Sequence, residues 1–202
     1  MSSKVLEALE VLKSGQFILV CDDETRENEA DLIMAAEFVT KEHVNFMINH
    51  GRGLICTPMS SAIALQLDLP LMIKEHLGTL ETAFTVSVDA IHGTHTGISS
   101  ADRALTIKKL SHPSSLPSDF ARPGHVFPLM ANSEGVLKRP GHTEATVDLL
   151  QLAKLRPVGV LCETLNESGD PLKGQELSDF ALKHGLILLS IVELQDYLKL
   201  SK

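Results

Sequence analysis

Apolar and polar positions alternate along this chain in patterns that set most of its elements. Val5, Ala8, Leu9 and Leu12 recur at helical intervals, and the pattern stops at Gly15. QFILVC (16–21) reads as a strand and DLIMAAE (31–37) as a second, with a polar turn between them. Thr40 is placed to cap a helix over KEHVNFMINH (41–50), and GLICTP (53–58) reads as a strand. A short helix over SAIALQL (61–67) ends before Pro70. TAFTVSVD (82–89) alternates, with Phe84, Val86 and Val88 on one side and Thr85, Ser87 and Asp89 on the other. SSADRALTIKKL (99–110) reads as a capped helix, and HVFPLMA (125–131) as a strand whose proline assigns it to an edge or an end. The rest runs helix, strand, helix, strand, helix: TEATVDLLQLAKL (143–155), VGVLCE (158–163), ELSDFALKHG (176–185), LILLSI (186–191) and VELQDYLKL (192–200).

Strands lie adjacent near the start, and βαβ units follow at the end. That order predicts an α+β fold in one domain over 1–202: a mixed sheet with helices on both faces, three layers in all. No break in composition divides the chain, and no period repeats.

The bulk numbers narrow the function. With 202 residues, 44% of them hydrophobic and 22% charged, the chain is an ordinary packed globule. A formal net charge of −8 argues against nucleic acid as a partner. No stretch of eighteen apolar residues occurs, so a soluble, cytoplasmic protein without a membrane span is expected. Cys21, Cys56 and Cys162 are too few and too scattered for a disulfide framework or a zinc site, and read as buried small hydrophobes.

Three polar loops carry groups that a core does not need. CDDETRENEAD (21–31) holds six carboxylates and one arginine, between two buried runs. Whether this loop is extended or helical, Glu27 and Asp31 share a side, joined by Glu29 if it is extended. Converging carboxylates repel unless a cation compensates, and a hard dication such as Mg2+ suits such a set. The competing reading is a solvated turn, and Asp22, Asp23 and Glu24 are left unassigned within it. KRPGHTEATVDLL (138–150) sets Arg139 and Gly141 before a helix that Thr143 can cap, which makes a ready anion site; His142 beside it can bind metal or carry a proton. ARPGHVFPL (121–129) repeats the R-P-G-H order, with Pro-Gly forming a turn that aims His125. Glu163 ends a strand, where sites open in sheets of this kind. His43, His76 and His184 read as surface groups.

DDETRENEADL, GISSADRALTI, RPGHVFPL and GHTEATVDL, in this order, resemble the 3,4-dihydroxy-2-butanone 4-phosphate synthases of riboflavin biosynthesis across essentially the whole chain. The resemblance implies conversion of D-ribulose 5-phosphate to the four-carbon phosphate and formate, with Mg2+ required and Mn2+ as a substitute. A proton leaves the carbon beside the carbonyl, the C1 hydroxyl departs as water, the skeleton rearranges, and carbon 4 leaves as formate. It further implies Glu27 and His142 as metal ligands. Arg26, Asp31, Arg139, Gly141 and Thr143 would hold substrate, and His125 and Glu163 would do acid–base work. Glu29, Asp102 and Cys56 would be site neighbours. A homodimer with shared sites and a monofunctional chain, lacking the cyclohydrolase domain often appended, are also implied. The family commonly has glycine where Ala30 stands in RENEAD; an extended backbone there would make the change harmless. A metal-dependent sugar-phosphate aldolase or isomerase, or a phosphometabolite-binding regulator, are the rival functions.

Overall fold

A computed structural model describes residues 3–23, 26–73 and 82–200. Seven strands form one sheet among these residues: β1 (Ile18–Cys21), β2 (Ala30–Ala35), β3 (Cys56–Met59), β4 (Val88–Ala90), β5 (Phe120–Met130), β6 (Gly159–Glu163) and β7 (Leu188–Ser190). Their spatial order is β4-β5-β3-β6-β2-β1-β7. The β3–β5 and β1–β7 pairs are parallel and the others antiparallel, so the sheet is mixed as expected.

Helices cover both faces because the strands are apolar on both. On one side α1 (Ser3–Lys13), α5 (His142–Leu152) and α7 (Ile191–Leu200) pack through Leu12, Leu149 and Leu194 onto Ile18, Ile33 and Leu161. On the other lie α2 (Lys41–Phe46), a π-turn (Met47–Gly51), α3 (Ser61–Gln66), α4 (Ser100–Ser111) and α6 (Gly174–His184). Their Val44, Met47, Ile107 and Leu177 meet Leu19, Leu32, Met34 and Val160. Within β2 the alternation is strict: Asp31 and Ile33 point to one face, Leu32 and Met34 to the other. Ala30 lies in β2 opposite Cys21 and is not among the positive-φ residues, so alanine costs nothing there.

Thr40 and Ser99 cap their helices as read, and Gly185 ends α6 in the left-handed conformation. Four expectations are corrected. HVFPLMA belongs to an eleven-residue strand, β5, that lies inside the sheet between β4 and β3. Arg122-Pro123-Gly124 is part of that strand and not a turn, and Gly124 is needed because an added Cβ would collide with the Val88 backbone. Residues 84–87 form only isolated bridges, and it is Thr85 and Ser87 that are buried. The Thr85 hydroxyl donates to the Pro128 carbonyl, which also accepts the Thr85 N–H, and Ser87 Oγ accepts from Gly124 N–H, so both hydroxyls are buried against β5. Finally, α5 starts at His142 with Gly141 as its N-cap, so Thr143 lies inside the first turn and does not cap it.

His43 and His184 are half-buried, edge-on to Phe17 and Phe46 respectively, and not simple surface groups. His76 lies outside the described residues. No helix among those described is long and apolar enough to cross a membrane.

Candidate active site

Asp31 near the start of β2 and Glu163 at the end of β6 are register partners, so two carboxylates open at the same edge of the sheet. The N-terminus of α5 and the loop 22–29 close over them. Together they enclose a cavity of about 240 Å³ lined by Arg26, Glu27, Glu29, Asp31, Cys56, Arg139, His142, Thr143 and Glu163, with Thr82, Phe84, Leu129 and Leu161. Nine of the residues singled out from the sequence thus meet in one place.

The acidic loop is organised by Asp22, whose side chain is fully buried. Its Oδ1 accepts from Glu29 N–H at 2.9 Å, and its Oδ2 accepts from Glu27 N–H at 3.2 Å and from Arg26 Nη1 at 2.7 Å. Arg26 also donates to Glu27 Oε2 at 2.6 Å. Asp22 is therefore not part of a solvated turn; Asp23 is exposed, and Glu24 lies outside the described residues. Asp22, Glu27 and His142 each offer one ligand atom, all within 4.8 Å of one another. His142 Nε2 is buried without a hydrogen-bond partner, an orphan that a cation would satisfy. Burial, opposed in part by the charge of Asp22, pushes the His142 imidazole down to about 4, so it stays neutral and able to ligate at pH 7.

Asp31 is 3% exposed, and its Oδ1 also lacks a partner. Burial first, then the charges of Glu163, Glu29, Glu27 and Asp22, hold its carboxyl well above the usual carboxylate range. Burial raises Glu163 likewise. Its Oε2 accepts the Leu54 backbone N–H at 2.7 Å. Gly53 makes this approach possible, because an added Cβ would lie 2.7 Å from Glu163 Cβ and 2.8 Å from its nitrogen. Cys56 is buried, and burial lifts its thiol far out of the reactive range, so it is an inert part of the wall.

On the other side, Arg139 donates to Glu144 Oε2 at 2.5 Å and to Thr82 Oγ1 at 3.0 Å. Glu144 is 1% exposed, and its Oε1 accepts from Asn132 N–H at 2.9 Å. The guanidinium folds over Gly141, where an added Cβ would strike it; this is why glycine stands there. Free amides of the first turn of α5 open beside it, with their partial positive charge. Glu144, Asp22 and Gly53 were not singled out from sequence.

His125 and Asp102 do not reach this cavity. His125 Nδ1 sits 2.7 Å from Asp89 Oδ2 on the β4–β5 pair, and its backbone N–H donates to Asp89 Oδ1. Asp102 caps the turn before α4 by accepting from Gly97 N–H at 3.0 Å. Gly97, at φ +89°, packs against both Asp89 and His125.

Comparison with known proteins is consistent with this geometry. The family model described as 3,4-dihydroxy-2-butanone 4-phosphate synthase matches residues 6–197. A protein of that name from Agrobacterium fabrum is 50% identical over 98% of this chain and 92% of its own length. The riboflavin biosynthesis protein RibBA of Cytophaga hutchinsonii is 50% identical over 96% of this chain, which spans 48% of that longer relative. Among solved structures, a 3,4-dihydroxy-2-butanone 4-phosphate synthase in complex with two magnesium ions superposes with a TM-score of 0.93 at 43% identity, covering 96% of each chain.

Proposed function

The chain belongs to the 3,4-dihydroxy-2-butanone 4-phosphate synthase family of riboflavin biosynthesis, and we propose that the cavity between β2, β6 and α5 is where it converts D-ribulose 5-phosphate. The observation that carries this placement is the convergence of Asp22, Glu27 and His142 beside the N-terminus of α5. The three groups suit a hard dication, and Asp22 joins the two ligands expected from sequence. Such an ion, Mg2+ or Mn2+, stabilises negative charge developing on the substrate's oxygens.

The protein's own groups do the rest. Arg139, fixed by Glu144, and the first-turn amides at Gly141 to Thr143 bind the phosphate. Arg26 holds the polyol end. Asp31, its proton affinity raised by burial, faces a substrate oxygen, and Glu29 borders it. Glu163, with its proton affinity raised, takes the proton from the carbon beside the carbonyl and returns it later. Leu129, Leu161 and Phe84 keep water from the reacting carbons. His125 and Asp102 come from a second copy of the chain, whose β4–β5 face covers the cavity mouth.

Incubation with D-ribulose 5-phosphate and Mg2+ tests the reading: formate is released in equal amount to the four-carbon phosphate. Substrate consumed without formate would point to an aldolase or isomerase instead.

A further inference from the structure

The register of β4 on β5 breaks partway along the pair. Val88 lies opposite Val126, but the next residue, Asp89, lies opposite Ala121, so residues 122–125 bow out between the two registers with no partner in β4. Such a break re-aims side chains and leaves backbone donors in need of acceptors. Ser87 Oγ takes the Gly124 N–H at 3.1 Å, and Asp89 Oδ1 takes the His125 N–H at 2.9 Å. The second oxygen of the same carboxylate, Oδ2, meets His125 Nδ1 at 2.7 Å. One acid therefore holds one histidine by both its backbone and its ring.

This hold decides the tautomer. A carboxylate only accepts, so the ring carries its hydrogen on Nδ1 and directs Nε2 away. No hydrogen bond among the described residues takes Nε2, and the His125 side chain is 42% exposed against 14% for Asp89. Asparagine cannot do the same, because the N–H and Nδ1–H donors need two acceptors and a carboxamide offers one.

The loop before α4 seals the pair. Asp102 is 7% exposed, and its Oδ2 accepts from Gly97 N–H at 3.0 Å and from His95 N–H at 3.3 Å. Gly97 is thereby held so close that an added Cβ would strike both Asp89 Oδ2 and His125 Nδ1. Water is kept from the hydrogen bond on that side, which strengthens it.

We propose that Asp89 is a positioning residue for the reaction: it fixes the His125 ring and keeps its hydrogen on Nδ1, so that Nε2 is the nitrogen presented to substrate. The proposal rests on the acid–base role expected for His125. Nε2 then takes a proton from substrate and returns it, and the positive ring formed in between lies against the Asp89 carboxylate. Asp89 acts through the ring alone.

The test uses the whole chain in Mg2+. Formate release is measured for Asp89→Asn, and the His125 ring is observed by long-range proton–nitrogen NMR, its signals assigned by their loss in His125→Ala. Asp89→Asn should lower kcat at least about a hundredfold with KM changed less than about twofold. The hydrogen of the neutral His125 ring should move from Nδ1 to Nε2 in the same variant. A kcat within about threefold of wild type overturns the proposal. So does a fall in kcat with the hydrogen still on Nδ1, which would make Asp89 a structural contact only. Should Asp89→Asn fail to fold, the wild-type spectrum decides: hydrogen on Nδ1 supports the proposal, and hydrogen on Nε2 overturns it. His125→Ala with wild-type turnover would sink the acid–base role of His125 and the proposal with it. An inactive His125→Ala beside an active Asp89→Asn would sink the proposal alone.

Discussion

Leu54 N–H donates to Glu163 Oε2 at 2.7 Å, although 109 residues separate the two. The proposed base is thus aimed by backbone, and the contact depends on Gly53 having no side chain. Gly53→Ala should lower kcat at least about tenfold with little change in KM, since misplacing one reacting group costs turnover more than binding. Steady-state kinetics with circular dichroism as the folding control will check it; an unchanged kcat would remove Gly53 from this role.

The separation of His125 from Glu163 leads to a complementation experiment. His125→Ala and Glu163→Gln should each be nearly inactive. If sites are shared in a dimer, equal mixing after reversible dissociation restores about a quarter of wild-type activity, because half of the dimers then carry one intact site of two. No recovery would place both groups in the same chain.

Asp22 gives a metal prediction. Asp22→Asn keeps the shape but loses the charge, and Mg2+ affinity should fall at least about tenfold. The Mg2+ dependence of formate release and the Mg2+-induced rise in Tm report it together. EDTA should abolish wild-type activity, and added Mg2+ should restore it. A variant with unaltered Mg2+ dependence would leave Glu27 and His142 as the protein ligands.

The Arg139–Glu144 pair is buried on both sides, with side-chain exposures of 7% and 2%. Removing one partner strands the other charge, so Glu144→Ala should destabilise by about 3–5 kcal/mol in urea unfolding. Glu144→Gln should be milder in stability yet raise KM, because Arg139 loses its tether.

Alkaline pH probes the core. Burial, with Glu163 adding to it, pushes the Cys162 thiol up to about 12, from 9.0 in the unfolded chain. Its contribution to stability is complete below pH 9 and is lost as pH rises toward 12, because only the unfolded chain releases the proton. The slope is about 1.4 kcal/mol per pH unit for one thiol. Denaturation series from pH 8.5 to 11 should show Cys162→Ala with a shallower decline than wild type; parallel curves would count against a buried thiol.

Much of this was legible in the sequence because it is local. The helices over 41–46 and 100–111 announce themselves through Thr40 and Ser99, and Asp31 and Glu163 sit where buried strands end. What escaped depends on contacts across the chain. Thr143 has the right chemistry for a cap, but Arg139 folds over Gly141 and α5 starts two residues earlier than a cap at Thr143 would allow. Asp22 looks like any surface acid until Arg26 turns back onto it. The alternation over 82–89 does not say which side is buried, because the burial of Thr85 and Ser87 rests on hydroxyl contacts with Pro128 and Gly124, some forty residues away in β5.

The strict alternation of β2 carries one last implication, for how such a site can change over generations. Asp31 faces the cavity only because Leu32 faces away. A single residue inserted or deleted inside β2 would invert the strand, turning leucine into the cavity and carboxylate into the apolar layer beneath. Change in steps of two is open to this strand, and change in steps of one is not. The loop before it is no freer, because Asp22 accepts from the Glu27 and Glu29 amides and so fixes their spacing.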